Sequence, residues 1–340
     1  MQRDARGVIS SPHVHSGASV AGVMGRVLIA LLPGVVVSAW SLGPGVLLQI
    51  GIAALAALAA EAAMLAVRGA PLRPFLFDGT AVVAGVLIGL AVPPLAPWWL
   101  AALAAVFAMV VVKHAYGGVG YNLFNPAMAG YALLLVCFPY AMKSWPAPGA
   151  EAWAADVLGA VFLPDAARVD AVSGATALSY VRDGLQGMKM LSELRAGEAA
   201  GLLRGGAPWV NLAFLGGGLA LLAARVIRWQ IPAGFLLGLL AVSLLLHLGD
   251  AQRHASPLFH LLSGATMLGA FFIATDPVSS PVTPRGRLLF GLLIGAGVVL
   301  IRRYGHYPDG VAFAVLLMNA AAPLIDRYTR PRVYGEGHTR

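Results

Sequence analysis

The chain has 340 residues, of which 59% are hydrophobic and only 11% charged, against roughly 25% charged in an ordinary soluble domain. With a mean hydropathy of +0.79, this composition excludes a soluble globular enzyme, a disordered chain and a fibrous one, and leaves an all-α polytopic membrane protein. The formal charge of +8 would suit a nucleic-acid binder, but the basic residues mostly flank apolar runs, so the expected partner is membrane lipid and no nucleic acid.

Taken in chain order, residues 1–22 form a polar tail with no small-residue cleavage site after a short apolar core, so no cleaved signal peptide is expected. Five apolar runs follow within 23–140, at about 24–42, 45–67, 79–94, 96–113 and 124–140. Residues 141–208 are hydrophilic. A second set of five runs fills 209–326, at about 209–228, 231–248, 258–276, 286–302 and 308–325, and 327–340 is a polar tail. Each run approaches the roughly 20 residues a bilayer core requires. The runs are continuous rather than alternating, so they predict helices, whose backbone groups pair internally, rather than barrel strands. Two sets of five predict an inverted repeat, because an odd-numbered unit must flip in the membrane when it is duplicated.

Lys and Arg set the orientation. With the amino terminus in the cytoplasm, 14 of the 23 basic residues fall on inside segments and 3 on short outside loops; the other 6 lie in the long insert. Arg302 and Arg303 are two of those three, and are expected to snorkel from a helix end. Both termini are then cytoplasmic, and the insert is periplasmic in an inner membrane. The single cysteine, Cys137, reads as a buried apolar side chain.

The insert contains Asp170-Ala171-Val172-Ser173-Gly174-Ala175-Thr176. The tetrapeptide recurs as Ser263-Gly264-Ala265-Thr266 at the start of an apolar run, where small residues plus threonine read as close helix packing. The first copy lies in a water-exposed segment with an acid three residues before its serine. A surface turn is one reading of it. The other is that it resembles the acceptor signature at which a flavin transferase esterifies FMN to threonine. That resemblance implies FMN on Thr176, with Asp170, Ser173, Gly174 and Ala175 as the surrounding attachment motif. A threonine hydroxyl is a weak nucleophile alone, so the transferase and its metal would activate it.

Nearly the whole chain resembles the D-subunit family of the Rnf complex, the ion-translocating ferredoxin:NAD oxidoreductase. The segments that carry this are Gly117-Gly118-Val119-Gly120-Tyr121-Asn122 with Asn125-Pro126-Ala127-Met128, then Phe271 to Val278 with Thr283 to Arg287, and Tyr307 to Asn319 running on to Tyr328–Gly335. The sister family, the B subunit of the sodium-pumping NADH:quinone oxidoreductase, has a similar layout but a longer amino-terminal extension. The resemblance implies a component of a translocase, without catalysis of its own. It would relay electrons between ferredoxin and NAD through covalent FMN and a noncovalent riboflavin, coupled to Na⁺ or H⁺ movement. Its partners would be the other membrane, flavin and iron–sulfur subunits of the complex. A flavin-free solute transporter with inverted repeats is the competing reading, since fold alone permits it.

Polar groups within the apolar sequence are candidates for an ion path or for flavin contacts: Glu61, Asp78, Asn122, Asn125, Asp276, Asp309 and Asn319. For Asp78, Asp276, Asp309 and Asp326, near run ends, helix capping is the plainer reading. Glu61 lies deeper, where a hydrogen bond to a neighbouring helix would satisfy it. The histidines do not pair at mid-membrane depth, and no C-x-x-C or H-E-x-x-H is present, so neither haem nor a metal site is expected.

Overall fold

The structure, a computed structural model, describes residues 19–147, 154–163, 173–196 and 206–331. The first half comprises α1 (Val20–Leu42), α2 (Gly45–Val67), a short α3 (Leu72–Leu76), α4 (Thr80–Ala91), α5 (Trp98–Phe107) continuing as a π-helix over Ala108–His114, and α6 (Pro126–Cys137). Three helices come from the insert: α7 (Ala154–Phe162), α8 (Ala177–Gln186) and α9 (Leu191–Ala196). The second half comprises α10 (Ala207–Ala223), α11 (Gln230–Gly249), α12 (Pro257–Leu262), α13 (Thr266–Leu268) continuing as a π-helix over Gly269–Ile273, α14 (Pro284–Tyr304) and α15 (Val311–Thr329). Among the described residues there is no β-strand; one isolated bridge joins Pro146 to Ser173.

Helix starts follow elementary capping. Asn125, Ser256 and Thr283 each accept a hydrogen bond from the backbone N–H three residues on, and each precedes a proline whose missing N–H and fixed φ suit the first turn. Six helical stretches are long and apolar enough to cross a bilayer, counting α3 and α4 together. The chain is a multi-pass membrane protein, as composition predicts.

Two spans carry a helix break, one at the starting edge of the expected run and one inside it. The third begins earlier, at Leu72, and breaks at Phe77–Gly79; the eighth breaks at Ser263–Ala265. Each break places a glycine in the left-handed region, Gly79 at φ 80° and Gly264 at φ 61°, where a Cβ would clash with the backbone. Each restarts on a threonine, Thr80 and Thr266. Such breaks survive at membrane depth only where side chains satisfy the freed backbone.

The helices pack through small residues. Gly85 and Gly89 on α4 would bring a Cβ within 2.4 Å of the α2 backbone at Ala54 and Ile50. In the second half Gly234 and Gly238 on α11 face Gly291 and Gly295 on α14, each with a hypothetical Cβ 1.9–2.4 Å from a carbonyl oxygen of the other helix. Both helices therefore carry a glycine pair four residues apart. Backbones approach closely there because dispersion, rather than water exclusion, holds helices together in lipid. The halves join where α1 meets α10 and α6 meets α15. Asn319 Oδ1 accepts from Asn125 N at 3.0 Å, and Asn125 Nδ2 donates to Ile273 O at 3.3 Å, tying the π-helix end to both. Besides capping α6, Asn125 thus bonds across to the second half.

Cys137, the last residue of α6, is exposed rather than buried.

Candidate functional site

Thr176 is positioned by local chemistry. Its backbone is extended (φ −64°, ψ 159°), and it N-caps α8: its Oγ1 accepts from Ser179 N at 3.2 Å and donates to Ser179 Oγ at 3.0 Å. Upstream, Ser173 bridges Pro146, and Gly174 N donates to Trp145 O at 2.8 Å. Gly174 lies so close to this neighbouring segment that a Cβ would meet Ala147 Cα at 2.9 Å, so the motif's glycine has a packing reason of its own. Ala175 is exposed, and Ser173 and Gly174 are half-buried. Asp170 lies outside the described residues.

The helix that begins at Thr176 is docked on the membrane bundle. Leu178 and Val181 bury against Ala255 and Phe259. Arg182 is buried, donates from its Nη1 to Tyr307 O and pairs with Asp183. Leu191 N and Ser192 N bond Gln252 O and Oε1 at 2.9 and 3.2 Å, which fastens α9 to the loop after α11. In that loop, burial and then the neighbouring Arg303 guanidinium hold the His254 imidazole below its ordinary range. The neutral ring accepts Arg303 Nε–H at 3.2 Å.

Beside Thr176 a cavity of about 230 Å³ runs between the two halves. Val46, Leu90, Met128, Phe214, Leu268 and Ile273 supply apolar wall. Thr176 and Asp309 line the same cavity, as do Ser41 and Trp145. Among the described residues, Ser41 Oγ and Trp145 Nε1 are buried without a hydrogen-bond partner. Most buried polar atoms are paired, so these two orphans leave hydrogen-bonding capacity on the wall of an otherwise largely apolar cavity.

The second copy of the tetrapeptide is a different object. Thr266 is fully buried; its Oγ1 donates toward His260 O and Ser263 O, at 2.8 and 2.9 Å, and accepts from Arg302 Nη2 at 3.1 Å. It is a saturated helix-break residue. Arg302 does not snorkel: its side chain is 2% exposed. Its Nε donates to Asp309 Oδ1 at 2.8 Å, its Nη2 to Asp309 Oδ2 at 3.1 Å, and its Nη1 to His260 O at 2.9 Å. Asp309 also accepts from Ala265 N at 2.8 Å, closing the break. A fixed charge pair here satisfies backbone groups that neither lipid nor helix can reach.

The break at Gly79 repeats this pattern at the other end of the bundle. Lys113 Nζ donates to Thr80 Oγ1 at 2.8 Å and to Glu61 Oε1, while Asp78 caps Thr80 N at 2.7 Å. Each half therefore has a left-handed glycine, a restart threonine, a base from its fourth span and an acid partner. Glu61 is held by an ion pair through Oε1 rather than by a simple hydrogen bond, while its Oε2 is buried without a hydrogen-bond partner among the described residues. Asp276, which accepts from Val278 N and Ser279 Oγ in the turn after the π-helix, and Asp326, which accepts from Val282 N and Thr283 N ahead of α14, tie loops down rather than cap a helix of their own. Asn122 bonds Phe124 O. No cluster of three metal-ligating side chains occurs among the described residues.

Sequence reasoning overlooked Lys113, Ser41 and Trp145. For Lys113 the signal was available: one base and one acid, Glu61, each within otherwise apolar sequence, are expected to pair. For Ser41 and Trp145 nothing local distinguishes them, since they are brought together from α1 and from the start of the insert.

Over residues 7–335 the sequence matches the NQR2, RnfD, RnfE family. Three curated relatives are each named as the D subunit of an ion-translocating oxidoreductase complex. That of Pseudomonas aeruginosa (strain UCBPP-PA14) is 52% identical over 329 residues, covering 96% of this chain and 95% of the relative. That of Shewanella amazonensis is 49% identical over 339 residues, covering 96% and 97%. That of Aeromonas hydrophila is 46% identical over 348 residues, covering 96% and 98%.

Proposed function

The chain belongs to the NQR2, RnfD, RnfE family and is a membrane subunit of an ion-translocating oxidoreductase complex, and from that premise we propose that Thr176 carries covalent FMN and that the chain relays electrons within the complex. The single observation behind this reading is the placement of Thr176, a capping hydroxyl at the mouth of an apolar cavity with two unpaired polar groups.

The residues present fit a flavin phosphoester. Thr176 Oγ1 sits at the amino end of a ten-residue helix, Ala177–Gln186, where backbone N–H groups and the helix dipole favour a phosphate. Arg182 and the apolar face of α8 hold that helix on the bundle, so a group esterified there has a defined position rather than a free tether. FMN, when bound, supplies one- and two-electron transfer; the protein supplies orientation and electrostatics. Apolar side chains supply most of the wall beside Thr176, and Asp309, held by its ion pair with Arg302, lines the same space.

The finer assignments extend this reading. The electrons pass between ferredoxin and NAD in an Rnf-type complex, riboflavin binds elsewhere in the membrane part, and Na⁺ or H⁺ is the ion moved. A flavin transferase matures the chain. The Thr176 face lies outside the cytoplasm of a bacterial inner membrane, with both termini inside. Positive-inside charge placement supports that orientation. A reporter inserted within 191–196 is expected to be active only outside the cytoplasm; a cytoplasmic signal reverses the orientation.

The decisive test is fluorescence of the denatured chain after co-expression with a flavin transferase. Thr176→Ala should remove the fluorescent band completely, and Thr266→Ala, where the hydroxyl is buried among His260 O, Ser263 O and Arg302, should retain it. Loss with the second substitution and retention with the first would reverse the assignment.

A further inference from the structure

The cavity beside Thr176 has a feature that esterification of that hydroxyl does not use. Ser41 lies near the end of α1, and Trp145 accepts Gly174 N–H from the Thr176 segment through its backbone carbonyl. Both line the cavity, and both bury a polar atom that no described group satisfies, Ser41 Oγ and Trp145 Nε1. Leaving such an atom dry is costly, so in a finished protein it normally meets a partner. Trp Nε1 can only donate; the serine hydroxyl can donate or accept. The remaining wall is largely aliphatic and aromatic. A ligand that satisfies this set is flat and apolar over most of its area, with hydrogen-bond acceptors along one edge.

An isoalloxazine ring has that chemistry: a hydrocarbon edge, and an opposite edge carrying carbonyl and imine acceptors. Thr176 opens into the same cavity, so a ring tethered there needs no second site. We propose that the cavity receives the flavin ring, and that Trp145 Nε1–H and the Ser41 hydroxyl are the groups that hydrogen-bond its polar edge. Both are positioning residues, and the inference rests on the assignment of FMN to Thr176. Because reduction places electron density on that edge, donors aimed at it stabilise the reduced ring more than the oxidised one. Removing either donor therefore lowers the midpoint potential without touching the ester.

The experiment uses the full chain, matured by a flavin transferase, as wild type, Trp145→Phe and Ser41→Ala. Trp145→Phe keeps an aromatic ring and removes only the N–H; Ser41→Ala removes only the hydroxyl. Covalent flavin is read by fluorescence of the denatured band, the ring's surroundings by the visible absorption spectrum, and the potential by redox titration. The expected result is wild-type fluorescence in both variants. With it should come a shifted absorption band and a fall of about tenfold in the one-electron reduction equilibrium, or about 59 mV, in at least one variant. Unchanged spectrum and potential in both variants, with flavin still attached, overturns the inference and leaves the Thr176 assignment standing. Absence of a covalent band in the wild type overturns the Thr176 assignment itself, and this inference with it. If Trp145→Phe fails to fold, Ser41→Ala alone decides by the same criterion.

Discussion

Arg302→Ala is expected to destabilise the protein by about 3–5 kcal/mol, because it strands one half of a buried ion pair. Asp309, whose side chain is 15% exposed, would be left without its counter-charge. The carbonyl of His260, the carbonyl of Ser263 and Thr266 Oγ1 would each lose a guanidinium donor. The loss is larger than that of an ordinary surface pair, since there is little water to take over these contacts. It should also reach Thr176, because Asp309 lines the same cavity and holds Ala265 N at the helix break. Thermal unfolding of the detergent-solubilised protein measures the effect. The double variant Arg302→Ala/Asp309→Asn should lose less than the sum of its parts, since neutralising the carboxylate removes the stranded charge. A single Arg302→Ala variant melting like wild type would mean the pair carries nothing.

Gly295→Ala is expected to disrupt the tightest helix contact in the second half. Its added Cβ would lie 1.9 Å from Phe235 O and 2.7 Å from Leu239 N, atoms of the facing backbone that have no rotamer to yield. The helices must separate, and the other three glycines of the contact lose their close approach with it. Overpacking of this kind costs about 1–3 kcal/mol, and more where backbone itself must move. Gly297→Ala is the control. Two residues further along the same helix, its Cβ would meet only Ala314 Cβ at 3.4 Å, an ordinary contact. Removing a helix-interior glycine there should be neutral or favourable by about 0.5–1 kcal/mol. The readout is the folded fraction recovered after extraction and heating. Equal behaviour of the two variants would show that the glycine interface is not what holds α11 to α14.

Much of the architecture was legible in the amino-acid order. The apolar runs mark where helices form, because length and continuous hydropathy are local properties and lipid permits no other continuous use of them. The Asp-x-x-Ser-Gly-Ala-Thr motif singled out Thr176 over Thr266, since one copy lies in hydrophilic sequence and the other in apolar sequence. The two threonines also differ in their surroundings: Thr176 is a half-buried cap, and Thr266 is a fully buried joint.

Tertiary packing decided what happens to charges inside apolar sequence. Arg302 reads as an interfacial residue by hydropathy, yet it closes a helix break by pairing with Asp309, seven positions on and across a turn. Lys113 counts as an inside-loop charge by position, yet it meets Glu61, 52 residues away. Whether a charge snorkels or pairs depends on which helix stands opposite, and helix adjacency is not encoded in any single segment. The cavity is of the same kind. Ser41, Trp145, Thr176 and Asp309 come from four separate stretches, and the docking of α8 on Ala255 and Phe259 brings Thr176 to the cavity that the others line.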